Sequence, residues 1–228
     1  MDDSFLTDTA LFAGTTAEEA TGMLACLGSF ERTYDKGAVI LRAGDCTDYM
    51  CMVLSGSVHI ELDDLWGNKT ILGHAEAGQL FAETYACIPG EPLMVSAVAA
   101  ERCRVLFLNA ARLLSPCTNA CAHHGKLIRN LLSITSGKNL ALSRRSLHTS
   151  SKSIRSRLLS YLSEQARQRG DFHFTIPFNR QQLADYLGVD RSALSNELGK
   201  MQKEGLLQFK KNRFSLTQHG SNKRRESK

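Results

Sequence analysis

One segment near the C-terminal end constrains the fold more than any other feature, because residues 178–201 have the pattern of two helices joined by a tight turn. Leu183 and Leu187 give the first helix an apolar face. Gly188 permits the turn, and Asp190 is a favourable N-cap for a second helix. The segment predicts a helix-turn-helix, although any small amphipathic helix pair produces a similar pattern.

The second predicted helix has a regular apolar stripe. Leu194, Leu198 and Met201 recur at i, i+4 and i+7, and this stripe points inward. Polar residues near the start of the helix then face outward, where a recognition helix meets base edges in the major groove. We assign DNA contacts to the polar and cationic side chains of both helices and of the turn after them: Arg180, Gln181, Arg191, Ser192, Ser195, Asn196, Lys200, Lys210 and Lys211.

A predicted hairpin follows the second helix. Residues 206–209 and 213–216 alternate like short strands around the basic turn 210–212. A cationic tip suits contact with phosphates, although a solvated surface turn has the same composition. Helix, turn, helix and basic hairpin in this order predict a winged-helix DNA-binding domain.

Charge is divided unequally along the chain. The whole sequence carries a net charge of only +5, but residues 1–125 sum to −9 and residues 126–228 to +14. A cationic half fits a polyanionic partner such as double-stranded DNA, since binding releases condensed counterions. Part of the excess lies in the basic run 223–225, which we interpret as a disordered tail.

Length and composition narrow the class of protein. A chain of 228 residues suits one or two domains with a substantial core. The start of the chain has no signal peptide, and no segment is apolar enough to span a membrane, so we expect a cytoplasmic protein. Its seven cysteines are then thiols by default, and no CxxC zinc signature occurs. No Ser/His/Asp set, phosphate loop or HExxH motif is present, so we do not expect an enzyme.

The acidic half has a helical start, near residues 5–30, and then changes to short strands. Apolar runs separated by Gly and Asp at regular intervals predict a β-sandwich or jelly roll. The predicted strands are 38–41, 49–54, 57–62, 69–73, 93–98 and 103–108.

In this half and in the C-terminal segment the chain resembles the CRP/FNR family of bacterial transcription regulators. The resemblance covers about residues 10–217 and rests on the helix-turn-helix and on the order of four short motifs: Lys36-Gly37, Gly44-Asp45, Leu54-Ser-Gly-Ser57 and Gly78-Gln-Leu-Phe-Ala-Glu83. It implies an α+β fold with a cyclic-nucleotide-binding-like β-roll, a long dimerisation helix and a winged helix. It also implies a homodimer that reads a palindromic operator under the control of a small-molecule effector, with RNA polymerase as a candidate partner.

The long helix is visible in the residues themselves. Ser115-Pro116 has the N-cap and N1 preferences of a helix start, and the apolar spacing beyond it is typical of a two-stranded seam, although a buried helix within one chain shows it too. We assign the seam to Leu127, Leu131 and Ile134, with Ala141 further on, and packing on the β-roll to Ile128 and Leu132. The predicted domains are a β-roll (1–115), a dimerisation helix (116–142), a Ser-rich hinge (143–153), a winged helix (154–220) and a basic tail (221–228).

The effector site departs from the cyclic-AMP-binding pattern. Glu83 matches the glutamate that holds the ribose in cyclic-AMP-binding members, but their phosphate-binding Arg-Ser pair falls on Leu93 and Met94, so we expect no cyclic nucleotide. A cyclic-nucleotide-binding regulatory module remains an alternative. The residues assigned to an unidentified effector are Glu83, Thr84, Lys138 and Asn139.

Asn196 marks a second departure from the family. It stands where the recognition helix often carries an arginine that pairs with guanine. Asparagine pairs well with adenine. We therefore expect the central operator contact to differ from the usual guanine.

An unusual cysteine and histidine cluster precedes the apolar part of the long helix. On a helix, Cys117, Cys121 and His124 would share one face. Three interpretations stay open, namely a zinc-type metal site, a redox-active thiol pair, and packing of small buried thiols. The N-terminal cysteine cluster of the iron–sulfur members is missing, because Cys26 alone cannot hold a cluster.

Overall fold

The computed structural model describes residues 3–63, 69–115 and 122–217. The chain divides into two compact units, Met1–Gly137 and Lys138–Lys228. Hydrophobic clusters fill each unit separately. None of the described helices combines the length and the apolar composition that crossing a membrane requires.

The first unit contains two four-stranded antiparallel sheets, which confirms the predicted β-roll. Its strands are β1 (Phe30–Tyr34), β2 (Val39–Leu41), β3 (Tyr49–Ser55), β4 (Ser57–Asp63), β5 (Lys69–Glu76), β6 (Leu80–Phe81), β7 (Ser96–Ala99) and β8 (Cys103–Asn109). One sheet has the order β1-β8-β3-β6 and the other β2-β7-β4-β5. Sequence patterning did not find β1, which has a mostly polar sequence, or β6, which has two residues, and it began β7 three residues early.

The sheet that contains β3 is buried on both faces. Met50 and Met52 lie in a core shared with the helices, whereas Cys51 and Val53 lie in a core shared with the second sheet. Because both faces are covered, β3 is a continuous apolar run and not an alternating one.

The turn between β3 and β4 requires glycine. Gly56 has a φ of +74°, and a Cβ at this position would lie 2.5 Å from the Arg102 carbonyl oxygen and 2.8 Å from the Cys103 Cβ. The close approach of the neighbouring loop therefore leaves no room for a side chain.

Helices cover the outer face of the β3 sheet. They are α1 (Asp3–Thr7), α2 (Ala17–Cys26), α3 (Glu83–Ala86), α4 (Ala110–Leu114) and α5 (Ala122–Thr149). Polar contacts add to the packing of α5, because the Asn130 side-chain amide donates to the carbonyl oxygens of Leu11 and Ala13 at 2.8 and 2.9 Å. Lys126 also pairs with Glu19 at 3.1 Å.

The structure contradicts the sequence-based assignment of which apolar stripe of α5 packs on the protein's own core. Leu127 and Leu131, predicted for the dimer seam, are buried in the core of their own unit, and Ile134 packs beside them. Ile128 and Leu132, predicted to pack on the β-roll, are 37% and 64% exposed. Neighbouring residues on a helix point about 100° apart, so the sequence contains two adjacent stripes and does not reveal which one the protein's own core takes.

The start and the end of α5 also differ from the prediction. Ser115, predicted as its N-cap, is the C-cap of α4, and residues 116–121 lie outside the described part of the chain. At the other end α5 continues to Thr149, so most of the segment predicted as a hinge, 143–153, is helical. This last stretch belongs to the second unit, and its polar side chains bind other helices of that unit; these tertiary contacts override the low helix propensity of the serines.

The second unit is built from α6 (Ile154–Arg169), β9 (His173–Thr175), α7 (Arg180–Leu187), α8 (Arg191–Lys203), β10 (Leu207–Lys210) and β11 (Arg213–Leu216). Its three helices share one core with the sheet β10-β11-β9. The predicted helix-turn-helix and hairpin are both present. Strand β9 was not predicted, since a three-residue strand carries no recognisable periodicity.

Leu131→Ala should destabilise the protein by about 2–5 kcal/mol, because truncation of a buried leucine loses transfer energy and leaves a cavity. Leu140 lies on the same helix and is 52% exposed, so the matched Leu140→Ala change should stay within about 0.5 kcal/mol of wild type. Urea unfolding followed by circular dichroism measures both. Equal stability of the two variants would contradict the assignment of the buried stripe.

Candidate nucleic-acid interface

Local capping fixes the two helices and the turn between them. The Asn179 side chain accepts from the backbone N–H of Gln182 at 3.0 Å, and the Gln182 side chain accepts from the backbone N–H of Asn179 at 2.8 Å, which forms a capping box at the start of α7. Gly188 ends α7 with a φ of +62°, a conformation that costs glycine little. The chain then turns into α8 within three residues.

Asp190 starts α8. Its carboxylate accepts from the Ala193 backbone N–H at 2.8 Å and from the Ser192 hydroxyl. The hydrogen bond from the Ser192 side chain, followed by that from the Ala193 backbone, lowers the pKa of Asp190. The cap is therefore an anion at the positive end of the helix dipole.

Burial of one side of α8 determines which side chains face solvent. Leu194, Leu198 and Met201 have no exposed surface. The opposite side exposes the polar residues predicted to meet DNA: Arg191, Ser192, Ser195, Asn196 and Lys200.

The five exposed residues are not equally available to a ligand. The Ser195 hydroxyl donates to the Arg191 carbonyl oxygen at 2.9 Å, and the Ser192 hydroxyl is bound to the N-cap. Lys200 lies 3.9 Å from Glu197. Arg191 and Asn196 make no side-chain hydrogen bond or ion pair within the described ranges. Of the five, these two residues therefore present donors and acceptors that no other described residue occupies.

Arg180 is the first residue of α7, and its side chain contacts the hairpin. Its guanidinium carbon is 4.9 Å from the centre of the Phe209 ring, and its Nη2 lies 3.4 Å from the Lys211 carbonyl oxygen. Burial, and then the charge of Arg191, lower the pKa of Arg180. The positive charge of Arg191 therefore acts against that of Arg180. Gln181, predicted beside Arg180, is exposed and donates to the Asp185 carboxylate at 2.8 Å.

The hairpin tip is cationic and conformationally strained. Lys210 pairs with Arg213 across the strands, so Lys211 and Asn212 form the turn. Lys211 has a φ of +56°, a region that residues other than glycine seldom occupy. The side chains of Lys210, Lys211 and Arg213 are exposed. Arg213 was not among the predicted contacts, although it follows the basic turn directly in sequence.

An ion-pair network that the sequence analysis missed holds α8 against α6. The Arg155 guanidinium donates to Glu197 at 2.6 Å and to both carboxylate oxygens of Glu204 at 2.7 and 2.8 Å. Hydrogen bonding to Glu204, and then to Glu197, raises the pKa of Arg155. Its partners are more than 40 positions away, and no local pattern indicates such a pairing.

In the first unit, the predicted effector residues occupy different environments. Glu83 is the first residue of α3 and only 4% exposed, whereas Thr84 is exposed. Burial, and then the charge of Glu83, raise the pKa of the Cys51 and Cys87 thiols, so the carboxylate lies in their neighbourhood. The residues at the phosphate-clamp positions differ as well, since Leu93 is 5% and Met94 is 72% exposed.

The remaining candidates lie on α5 or just before it. Lys138 and Asn139 are exposed and belong to the second unit. Cys117 and Cys121 lie outside the described residues. His124 is buried, and neither of its ring nitrogens has a hydrogen-bond partner in the described part of the chain. Within residues 3–63, 69–115 and 122–217, no three His, Cys, Asp or Glu side chains are grouped to hold a metal ion.

Two family models match the chain, one in each unit. The model described as the cyclic nucleotide-binding domain matches residues 31–119, and the model described as the Crp-like helix-turn-helix domain matches residues 156–219. The second match contains α7, α8 and the basic hairpin. No curated protein sequence matches significantly.

Solved structures share the fold at low sequence identity. The catabolite activator protein of Thermus thermophilus is 22% identical over 92% of this chain and 94% of its own, with a TM-score of 0.50. CprK complexed with OCPA is 18% identical over 85% of this chain and 90% of its own, with a TM-score of 0.60. CLP of Xanthomonas campestris, a c-di-GMP responsive global regulator, is 20% identical over 90% of this chain and 100% of its own, with a TM-score of 0.54.

Proposed function

The chain belongs to the CRP/FNR family of DNA-binding transcription regulators, and within that family we propose that it acts as a homodimer on a palindromic operator under the control of an effector. The operator sequence, the effector and contact with RNA polymerase belong to this proposal. The observation that carries it is the outward face of α8, where Arg191 and Asn196 are exposed beside a cationic hairpin.

The residues of α8 and the cationic residues of the hairpin contact different parts of the DNA. Arg191 lies at the start of α8, where a recognition helix contacts base edges, and a bidentate contact to guanine discriminates between bases. Asn196 supports reading of an adenine nearby. Lys210, Lys211 and Arg213 lie on the hairpin and suit the phosphate backbone, which adds affinity but no sequence information.

Arg191→Ala and Lys211→Gly should weaken DNA binding in different ways. On an operator selected from random DNA, Arg191→Ala should cost about 1–3 kcal/mol and relax the base preference at one position. Lys211→Gly, which suits the positive φ, should weaken operator and scrambled DNA equally and reduce the salt slope by about one. Fluorescence anisotropy at several salt concentrations measures both. Failure of the wild type to select any sequence would refute the proposal, and wild-type affinity of Arg191→Ala would remove Arg191 from base reading.

The exposed stripe of α5 supports the homodimer. Ile128 and Leu132 are followed at 4-3 spacing by Thr135, Asn139 and Leu142, and Leu142 is 66% exposed. A seam of this kind packs against the same seam of a second copy, and one asparagine in it specifies the register. We propose a second copy of this chain as the partner that covers the exposed stripe. Such a dimer also accounts for recognition of a palindrome, because the symmetry of a dimer mirrors that of its operator.

Leu132→Asp should convert the dimer to a monomer, since a carboxylate in a helix seam would be desolvated without a partner. Leu140 is also exposed on α5 but points about 80° away from Leu132, so Leu140→Asp is the matched control and should stay dimeric. Light scattering at micromolar concentration reports the mass of both. A monomeric wild type, or a dimeric Leu132→Asp variant, would contradict this seam.

We propose an effector other than a cyclic nucleotide for the first unit. A cyclic phosphate needs cationic or hydroxyl donors, and the clamp positions carry Leu93 and Met94. These apolar side chains oppose a cyclic phosphate, because a buried phosphate without donors loses its hydration and gains no partner.

Neither cyclic AMP nor cyclic GMP should bind tightly to the purified full chain. Isothermal titration calorimetry with each nucleotide should give no heat that corresponds to a micromolar dissociation constant. Native mass spectrometry of the same preparation should show whether another small molecule is retained. Micromolar binding of either nucleotide would contradict the argument from the clamp positions.

The second candidate function is metal sensing, and it is favoured by the buried imidazole of His124, which has no hydrogen-bond partner among the described residues. A buried polar group without a partner is costly, and a missing ion is one common explanation. Cys121 stands three residues earlier, so its Cα lies within about 11 Å of that of His124 in any conformation. Cysteine thiolate and imidazole are the ligands that zinc prefers, and Cys117 adds a third potential ligand.

If this second function holds, protein purified from zinc-supplemented cells should contain about one zinc ion per chain, and His124→Gln should lose it. The Cys117→Ser, Cys121→Ser double variant should lose it as well. Cys26→Ser, which changes an exposed cysteine in α2, is the control and should retain it. Metal analysis by inductively coupled plasma mass spectrometry gives the content. No metal in the wild type, or equal content in wild type and His124→Gln, would leave these residues as packing residues.

A further inference from the structure

At the C-terminal end of α7 the last four backbone carbonyls have no hydrogen-bond donor within the helix, as in any helix. The turn after α7 supplies donors for two of them. The Val189 N–H donates to the Ala184 carbonyl oxygen at 3.0 Å, and the Gly188 N–H donates to that of Asp185 at 3.3 Å. The carbonyls of Tyr186 and Leu187 still need donors from elsewhere.

Two arginines from other helices supply those donors. Arg145, near the end of α5, donates from Nε to the Tyr186 carbonyl oxygen at 3.1 Å and from Nη2 to that of Asp185 at 3.0 Å. Arg157, in the first turn of α6, donates from Nη1 to the carbonyl oxygens of Leu187 at 2.8 Å and Gly188 at 3.0 Å. Four successive carbonyls, from residue 185 to residue 188, are therefore bound by two guanidinium groups, which we call the carbonyl clamp.

Each of the two arginines makes one further contact besides its hydrogen bonds to these carbonyls. The Arg157 Nε donates to the Ser151 carbonyl oxygen at 2.7 Å, in the short connection between α5 and α6. The Arg145 guanidinium carbon lies 6.0 Å from the centre of the Tyr186 ring. The clamp thus joins the end of α5, the connection after it and the end of α7.

The adjacent turn of α5 is fastened to α6 by a separate set of contacts. His148 is 3% exposed, with its Nε2 2.8 Å from Glu164 and its Nδ1 3.0 Å from the Ser160 hydroxyl. Arg144 lies 3.4 Å from the other oxygen of Glu164. Loss of the clamp alone therefore leaves α5 attached to α6, and the contact with α7 is changed selectively.

We propose that Arg145 and Arg157 are positioning residues for DNA recognition, which fix the direction of α8 through the end of α7 and do not themselves touch DNA. Only Val189 and Asp190 separate the clamped carbonyls from α8, so a tilt at the clamp becomes a tilt of the recognition helix. The clamp ties that direction to the last turns of α5. This inference rests on the proposed sequence-specific DNA binding.

The chemistry of the clamp requires arginine. A guanidinium presents several N–H donors in a fixed plane, and one group can bridge two carbonyls that point in different directions. Its charge also lies at the negative end of the α7 dipole. A lysine at either position retains the charge but does not reproduce the two directed hydrogen bonds, so the two contributions can be separated by substitution.

The test compares Arg145→Gln, Arg145→Lys and Arg157→Gln with Arg167→Gln, which removes the same charge from an exposed position on α6. Arg145→Gln and Arg157→Gln should each bind the selected operator about tenfold more weakly than Arg167→Gln. Their affinity for scrambled DNA should match that of Arg167→Gln within about twofold, and their salt slope should equal that of wild type. Arg145→Lys should give an intermediate loss, and the double Arg145→Gln, Arg157→Gln variant should lose less than the product of the single effects.

Three results would overturn the inference, and one separate result would instead refute the DNA-binding proposal beneath it. Operator affinities of Arg145→Gln and Arg157→Gln equal to that of Arg167→Gln would make the clamp irrelevant to recognition. Equal losses on operator and scrambled DNA with a salt slope reduced by about one would make these arginines phosphate contacts. If the glutamine variants unfold, the Arg145→Lys variant provides the test. Wild-type discrimination between operator and scrambled DNA in that variant would also contradict the positioning role of the clamp. Absence of sequence selection by the wild type would refute the proposed function itself.

Discussion

The complete burial of Leu194, Leu198 and Met201 is the constraint on which the DNA-facing surface depends. A helix has one side to bury, and these residues fix it against the helices α6 and α7. Rotation of α8 by one residue would place a polar side chain in the core at a cost of a few kcal/mol. Packing that has no contact with DNA therefore decides that Arg191 and Asn196 face outward.

The same surface brings several positively charged side chains together. Arg180 is partly buried against Phe209, and its pKa is lowered by that burial and by Arg191. Like charges held close together by a rigid scaffold raise the local potential, and a polyanion relieves it. Lys211 adds a charge at the hairpin tip, on a backbone conformation that the fold imposes. Unfavourable local energies at one surface are typical of a site organised for a ligand.

Sequence reasoning succeeded where the information is local. The helix-turn-helix follows from apolar spacing, a glycine with positive φ and an N-cap, all within residues 178–201. The long β3, β4 and β8 strands are clear for the same reason. Strands β1, β6 and β9 were missed because β1 has a mostly polar sequence and β6 and β9 have only two and three residues, so none of them shows an apolar pattern. The partners of Arg145, Arg155 and Arg157 are distant in the sequence, so the contacts that orient the recognition helix had no local signal.

Helix α5 shows most clearly why a sequence pattern can be correct and its interpretation wrong. Its residues form two apolar stripes, and the packed one contains Leu127 and Leu131. The other stripe, with Ile128 and Leu132, is left for a partner in the dimer proposal. The end of the helix then changes from apolar packing to directed polar contacts through Arg144, Arg145 and His148. Apolar packing tolerates small displacements, whereas directed hydrogen bonds of arginine and histidine fix an orientation. Under the two proposals, this division of chemistry along one helix gives its first part the dimer seam and its last part the contacts that position the end of α7.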